Sequence, residues 1–161
     1  MREEAAGPHS AEEGGTTRDG RAAHTTVMLA GDGPCIAQAR HKAAAFLVQA
    51  RAEHDLPVSR RAIDLTQLVV SELVTNARKY APGPILMALR ITGKTVEISV
   101  WDSDPVLPVA RAADAGRVGQ HGLEIVMAVA QSFEARREPV GKRISVGVAL
   151  LDAPGLGSAA A

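Results

Sequence analysis

Aromatic side chains are scarce in this chain: Phe, Trp and Tyr together make up 2% of its 161 residues. A surface that stacks single-stranded nucleic acid needs several such rings, so that class of function is disfavoured. The single cysteine, Cys35, rules out an intrachain disulfide and a cysteine-based metal cluster. Buried apolar filler in a reducing compartment is its expected role. Neither sign of charge is in excess. Lys plus Arg and Asp plus Glu both come to 18, so no net field draws the chain to nucleic acid or to a membrane. No apolar run approaches the roughly 20 residues that span a bilayer. The opening stretch MREEAAGPHSAEEGGTTRDG has no apolar segment of the kind a signal peptide carries. A soluble, cytoplasmic protein is expected.

With 46% apolar and 22% charged residues, the balance is that of an ordinary globular domain. The length suggests one such domain, large enough for a real core. Residues 1 to about 23 are rich in Gly, Ala, Glu and Thr without a period, and residues 152 to 161 read the same way, so both ends are expected to be disordered tails. Between them HTTVMLA suggests a first strand. From about Cys35 to Ala52 an apolar face of Ile36, Ala39, Ala43, Phe46, Leu47 and Ala50 predicts a helix. A second helix is expected from Pro57 or Ser59 to about Tyr80, where APGP stops it. PILMALRI and TVEISVWD then read as a hairpin that turns at Thr92-Gly93-Lys94. PVLPVARAADAGRV reads as a loop and HGLEIVMAVAQSF as a third helix. FEARREP and KRISVGVALL form a last strand pair, turning at Pro139-Val140-Gly141. Strands that arrive in adjacent pairs favour an antiparallel or mixed sheet with helices on one face, an α+β two-layer sandwich.

The second helix carries an anomaly. At about 100° per residue its apolar side is Ala62, Ile63, Leu65, Val69, Val70, Leu73, Val74 and Ala77. Glu72 and Asn76 fall at the border, in line with Leu65 and Val69, where a plain core helix would carry apolar residues. The spacing of four sets the two side chains about 6 Å apart on one face. Two readings fit. In one, Glu72 pairs with Asn76 or Lys79 on a half-exposed edge. In the other, the carboxylate is a general base and the amide oxygen one turn on coordinates a hard cation, with Lys79 near phosphate.

Two later stretches bear on that choice. TVEISVWD ends in Asp102-Ser103-Asp104-Pro105, where an ionised aspartate could accept from an exocyclic amine or simply satisfy its own turn. Gly119-Gln120-His121-Gly122-Leu123 opens the third helix. Its glycines either let backbone N–H groups approach an anion or make a flexible turn. Trp101 points to the other face of its strand and reads as core. The pairs Arg60-Arg61, Arg78-Lys79 and Arg136-Arg137 read as solvated faces, and the histidines show no metal-ligand spacing.

The order of these features resembles the GHKL superfamily of ATPases and kinases: Glu-x-x-x-Asn on a helix, Asp at a strand end, a loop, then Gly-x-x-Gly at a helix start. Within it the chain is most similar to short, stand-alone actinobacterial ATP-binding proteins related to anti-sigma-factor serine kinases. LVVSELVTNARKYAPG resembles their N box, VWDSDPVLP their first glycine box and GQHGLEIVMAVAQSFEARREPVGK their second. The likeness covers about residues 24 to 151. It implies a Bergerat-type α/β sandwich that holds ATP with Mg²⁺ between its helices and a loop lid. Carried over by position, Glu72 would be the general base and Asn76 would hold Mg²⁺. Lys79 and Tyr80 would lie near the phosphates and sugar, and Asp102 would accept from the adenine amine. Gly119, His121, Gly122 and Leu123 would line the phosphate end. The resemblance further implies serine/threonine kinase activity toward an anti-anti-sigma (STAS-type) protein, with a sigma factor as a second partner and frequent homodimers. The chain departs from the family where Asp104 and Val106 stand at glycine positions of the first glycine box. It departs again where Arg143 replaces an adenine-holding threonine, with Ser145 as the stand-in on that strand. His54-Asp55-Leu56 lies too close to the N box to be a histidine-kinase phosphoacceptor.

Overall fold

The structure, a computed structural model, describes residues 23–81, 83–107 and 121–152, with the backbone alone at residue 121. The two expected tails, most of the expected loop after Pro105, and Gly119 lie outside the described residues. Five strands and three helices follow in the expected order: β1 (His24–Leu29), α1 (Cys35–His54), α2 (Arg60–Tyr80), β2 (Ile85–Thr92), β3 (Thr95–Asp102), α3 (His121–Val129), β4 (Ser132–Arg137) and β5 (Lys142–Ala149). The strands form one open sheet in the order β1-β2-β3-β5-β4, and every pairing is antiparallel.

Local chemistry accounts for the helix ends. Ser59 is extended and its hydroxyl accepts from the Ala62 N–H at 3.0 Å, satisfying one of the donors that α2 leaves open at its start. At the other end the Ala81 N–H still reaches the Ala77 carbonyl at 2.8 Å before the chain turns extended. α1 stops at Asp55, which takes the left-handed conformation at φ 51 that a short polar side chain tolerates. α3 is shorter than its apolar pattern suggests. The helix ends at Val129 because the Gln131 N–H is captured by the Gly147 carbonyl of β5 at 2.8 Å, which starts β4 as a strand.

Alternation along the strands builds two unlike faces. Met87, Val100 and Ile144 form one rung of neighbours, Leu89, Ile98 and Val146 the next, and Ile91, Val96 and Val148 a third; all are buried. Against this face lies α2 with Val69, Val70, Leu73 and Val74, each buried side chain contributing about 1.5–3 kcal/mol. α1 packs on α2 and β1 through Cys35, Ala39, Ala43, Leu47 and Ala50, with Ile36 and Phe46 at the rim of the core. Cys35 is buried and free, as expected. The other face of the sheet has no helix among the described residues. There the central rung is Thr26, Ala88, Ser99, Ser145 and Glu134. Trp101 belongs to this face and not to the core: it is half-buried, and its indole N–H donates to the Val140 carbonyl at 2.8 Å. Among the described residues no helix is long and apolar enough to cross a membrane.

Candidate functional site

Two helices, α2 and α3, pack together where the sequence placed its first anomaly. On α2, Glu72 and Asn76 are half-buried at the flank of the buried row Val69, Leu73 and Ala77. α3 packs against α2. Its second residue, Gly122, faces Glu72 so closely that a Cβ there would collide with the carboxylate oxygen Oε2 and stand 3.1 Å from Cδ. A side chain at 122 would have to push the Glu72 carboxylate aside, so the glycine lets the α3 backbone and that carboxylate lie together as they do. The first turn of a helix presents unpaired N–H groups and the positive end of its dipole. Glu72 therefore sits beside a place suited to an anion, and Leu123 anchors the helix start by packing on the core.

Lys79 and Tyr80 end α2, one turn beyond Asn76. The Lys79 ammonium stands 5.3 Å from the centre of the Tyr80 ring, a cation–π contact of about 0.5–1 kcal/mol at an exposed site. At residue 121 the backbone begins α3, and Gly119 lies outside the described residues.

The strand-end aspartate is in a different condition. Asp102 closes β3 on the helix side and is 1% exposed. Its Oδ1 accepts from the Asp104 N–H at 2.8 Å, the turn expected from the sequence, and also from the Lys142 ammonium at 3.0 Å. Lys142 is itself 1% exposed. It further donates to the Asp104 carbonyl at 3.2 Å and lies 3.5 Å from its Oδ2. Burial pushes the Asp102 carboxyl above its ordinary value and the Asp104 charge adds to this, while the Lys142 hydrogen bond and charge and the Asp104 N–H pull it back. Gly141, at φ +77, makes the approach possible: a Cβ there would strike the Asp102 carbonyl oxygen and stand 2.9 Å from the Ser103 Cα.

Lys142 is the residue that sequence reasoning missed. The available signal was a lysine inside an otherwise apolar alternation, because a buried ammonium needs a carboxylate partner. Arg143 and Ser145 are placed otherwise than the sequence reading supposed. Successive side chains alternate across a strand, so Lys142 and Ile144 share the face of Asp102 while Arg143 and Ser145 lie on the opposite one. There the Arg143 Nε donates to Glu138 at 2.8 Å and its Nη1 to the Ser99 hydroxyl at 3.5 Å. The whole sheet separates them from Glu72, Asn76 and Asp102.

The donor set suits a nucleotide at one end more than at the other. Beside Glu72 and Asn76 the glycine backbone, the amide oxygen and the helix start fit phosphate with a magnesium ion, which needs few protein ligands. Among the described residues no group of three or more His, Cys, Asp or Glu could hold a metal by itself. At the other end, Asp102, the group that would meet a base, is 1% exposed and already accepts from Lys142. Two grooves lie elsewhere, one of about 780 Å³ between β1 and α1 and one of about 390 Å³ on the open face beside Arg143 and Ser145.

The family model HATPase_c_2, described as histidine kinase-like ATPase domain, matches residues 35–147, well over half of the chain. A solved structure, the histidine kinase domain from the Erythrobacter litoralis EL346 blue-light activated histidine kinase, is similar at 17% identity with a TM-score of 0.43, covering 71% of this chain and 70% of that one. No curated protein matches.

Proposed function

Because this chain belongs to the histidine kinase-like ATPase domain family, an ATP-binding fold of the GHKL type, we propose that it is a protein serine/threonine kinase of the anti-sigma-factor type. The substrate would be a serine of a small anti-anti-sigma (STAS-type) protein, and phosphorylation would switch that partner's association by adding charge to the interface. A sigma factor would be the second partner, and a homodimer the working assembly. One observation carries the reading: the Glu72 carboxylate lies against Gly122 at the start of α3, one helical turn from Asn76.

In this scheme Glu72 takes the proton of the serine hydroxyl as the serine oxygen forms its bond to the γ-phosphorus. The bond from that phosphorus to the β,γ-bridging oxygen breaks, and ADP leaves with the electron pair. Mg²⁺ held by the Asn76 amide oxygen would supply neutralising charge at the transferring group. Backbone N–H groups at 121 and 122 would orient the phosphates, with Lys79 and Tyr80 toward phosphate and sugar. Positioning and fixed charge supply most of the rate. Asp102 accepts from the 6-amino group of adenine.

Incubation with labelled ATP, magnesium and a candidate STAS-type protein tests this directly. Phosphoserine on the partner is expected. Glu72→Ala should lower transfer by at least about a hundredfold, the usual weight of a general base, with nucleotide affinity largely kept. A fully active variant would overturn the assignment.

A second reading has its own support. Asp102 is already engaged by Lys142, and Asp104 and Val106 stand where the family carries glycines. Such a chain could bind nucleotide weakly and act by sequestering a partner. Intact partner binding without any phosphoserine would favour it.

A further inference from the structure

The two ends of the sheet are unequally guarded. β4 closes one end with Glu134, Arg136 and Arg137, all exposed, and charges along an edge deter another strand from pairing there. β1 closes the other end as HTTVML, with no Pro, Lys, Arg, Asp or Glu. The Ile91 N–H donates to the Ala23 carbonyl at 2.8 Å, so Ala23, Thr25, Val27 and Leu29 turn their backbone groups to β2. His24, Thr26 and Met28 turn theirs outward, where they meet no strand among the described residues. Beside this edge runs the groove of about 780 Å³ between β1 and α1, with Val27 and Phe46 half-buried in its wall. Lys42 and Glu53 of α1 line it too. Because α1 returns along β1 after the turn at residues 30–34, Lys42 belongs to the Met28 end and Glu53 to the His24 end.

We propose that β1 pairs with β1 of a second copy of this chain, antiparallel about a two-fold axis at Thr26, so that two sheets become one. This goes beyond the kinase reading: it gives a homodimer its surface and holds whether or not phosphate is transferred. The edge is complementary to itself. A pair centred on Thr26 sets Thr26 against its own copy and His24 against Met28 of the second copy, and each such pair exchanges both backbone bonds. No charged side chains are opposed. On the helix side Thr25 then meets Val27 of the second copy, which covers apolar wall of the groove. The same axis inverts α1 and brings the Lys42 end of one helix to the Glu53 end of the other, so opposite charges face each other twice. A foreign strand would have to match both the register and the charge order; a second copy matches them by symmetry.

Sedimentation of the full chain over a range of concentrations tests this. Wild type should sediment at twice the chain mass. Because the Thr26 N–H faces away from β2, Thr26→Pro removes a bond between copies and leaves the β1–β2 ladder whole. Thr26→Lys brings two ammonium groups together at the axis. Each should raise the dimer dissociation constant at least about tenfold. If the proline variant does not fold, the lysine variant decides, since its side chain lies on the open face. Lys42→Glu should also weaken the dimer, and adding Glu53→Lys should restore it. A monomeric wild type overturns the proposal, whether its edge stays open or is covered by residues 1–22. A dimer that both Thr26 variants leave unchanged overturns it as well, because the copies then meet elsewhere. ATP affinity and phosphoserine yield, read on the same samples, bear on the kinase reading alone.

Discussion

The two faces of the sheet carry the same kind of ion pair in opposite surroundings. On the helix side, Lys142 and Asp102 are 1% and 2% exposed. On the open side, Arg136 and Glu134 form a pair of similar length, 2.8 Å, at 67% and 61% exposed, and Arg90 and Glu97 stand 3.7 Å apart at 60% and 50%. Water screens the outer pairs, so each contributes little to stability. The inner pair formed at the cost of desolvating both charges, and it is worth most when one partner is taken away. Removing one leaves the other buried and uncompensated, at about 3–5 kcal/mol. A buried pair therefore says more about what a site must hold in place than about net stability. Here it fixes the strand end and the loop beside the proposed base contact.

That contrast can be broken by experiment. The largest effect should come from Lys142→Met, which should lower the unfolding free energy by about 3–5 kcal/mol in urea titration. A loss below about 1 kcal/mol would show that Asp102 is reached by water.

A smaller effect is a slope with pH. The Asp102 carboxyl is raised in the folded chain, first by burial. Between the ordinary carboxylate value and its raised one, the folded chain binds more protons than the unfolded chain. Its contribution is thus complete below the unfolded value and declines as pH rises through the folded one. Asp102→Asn should flatten this part of a plot of urea midpoint against pH. A slope that persists in the variant belongs to another group.

Smaller still, Arg136→Ala should leave the urea midpoint nearly unchanged in the same titration, because water screens so exposed a pair. A marked drop would make the open face a structural surface. Least of all, Ser145→Ala should leave ATP affinity within about twofold, because its hydroxyl lies across the sheet from the helices, and surface substitutions away from special features act weakly. A clear loss of affinity would place the nucleotide on the wrong face.

Much of the architecture was legible in the residues. The seven buried positions of α2 repeat at helical spacing, Ser59 caps it, and the paired strands alternate cleanly. The border position of Glu72 and Asn76 was visible from that period as well. What the period did not show was Gly122 closing on Glu72, since packing of α3 on α2 brings together residues far apart in the chain. Trp101 was misjudged for a related reason: alternation assigns a residue to a face, but only the helices decide which face is the interior. α3 was read too long because a backbone bond from Gln131 to Gly147 wins over an apolar run that local periodicity extends.

Helices, turns and strands follow here from short-range chemistry: caps, periods and glycines act within a few residues of themselves. The register of β3 on β5 is set across 40 residues of chain, by how whole apolar rows fit beneath α2. That register puts a lysine on Asp102 and turns Arg143 and Ser145 away from it. A shift of one residue would exchange the two sets, because each strand offers its side chains to alternate sides.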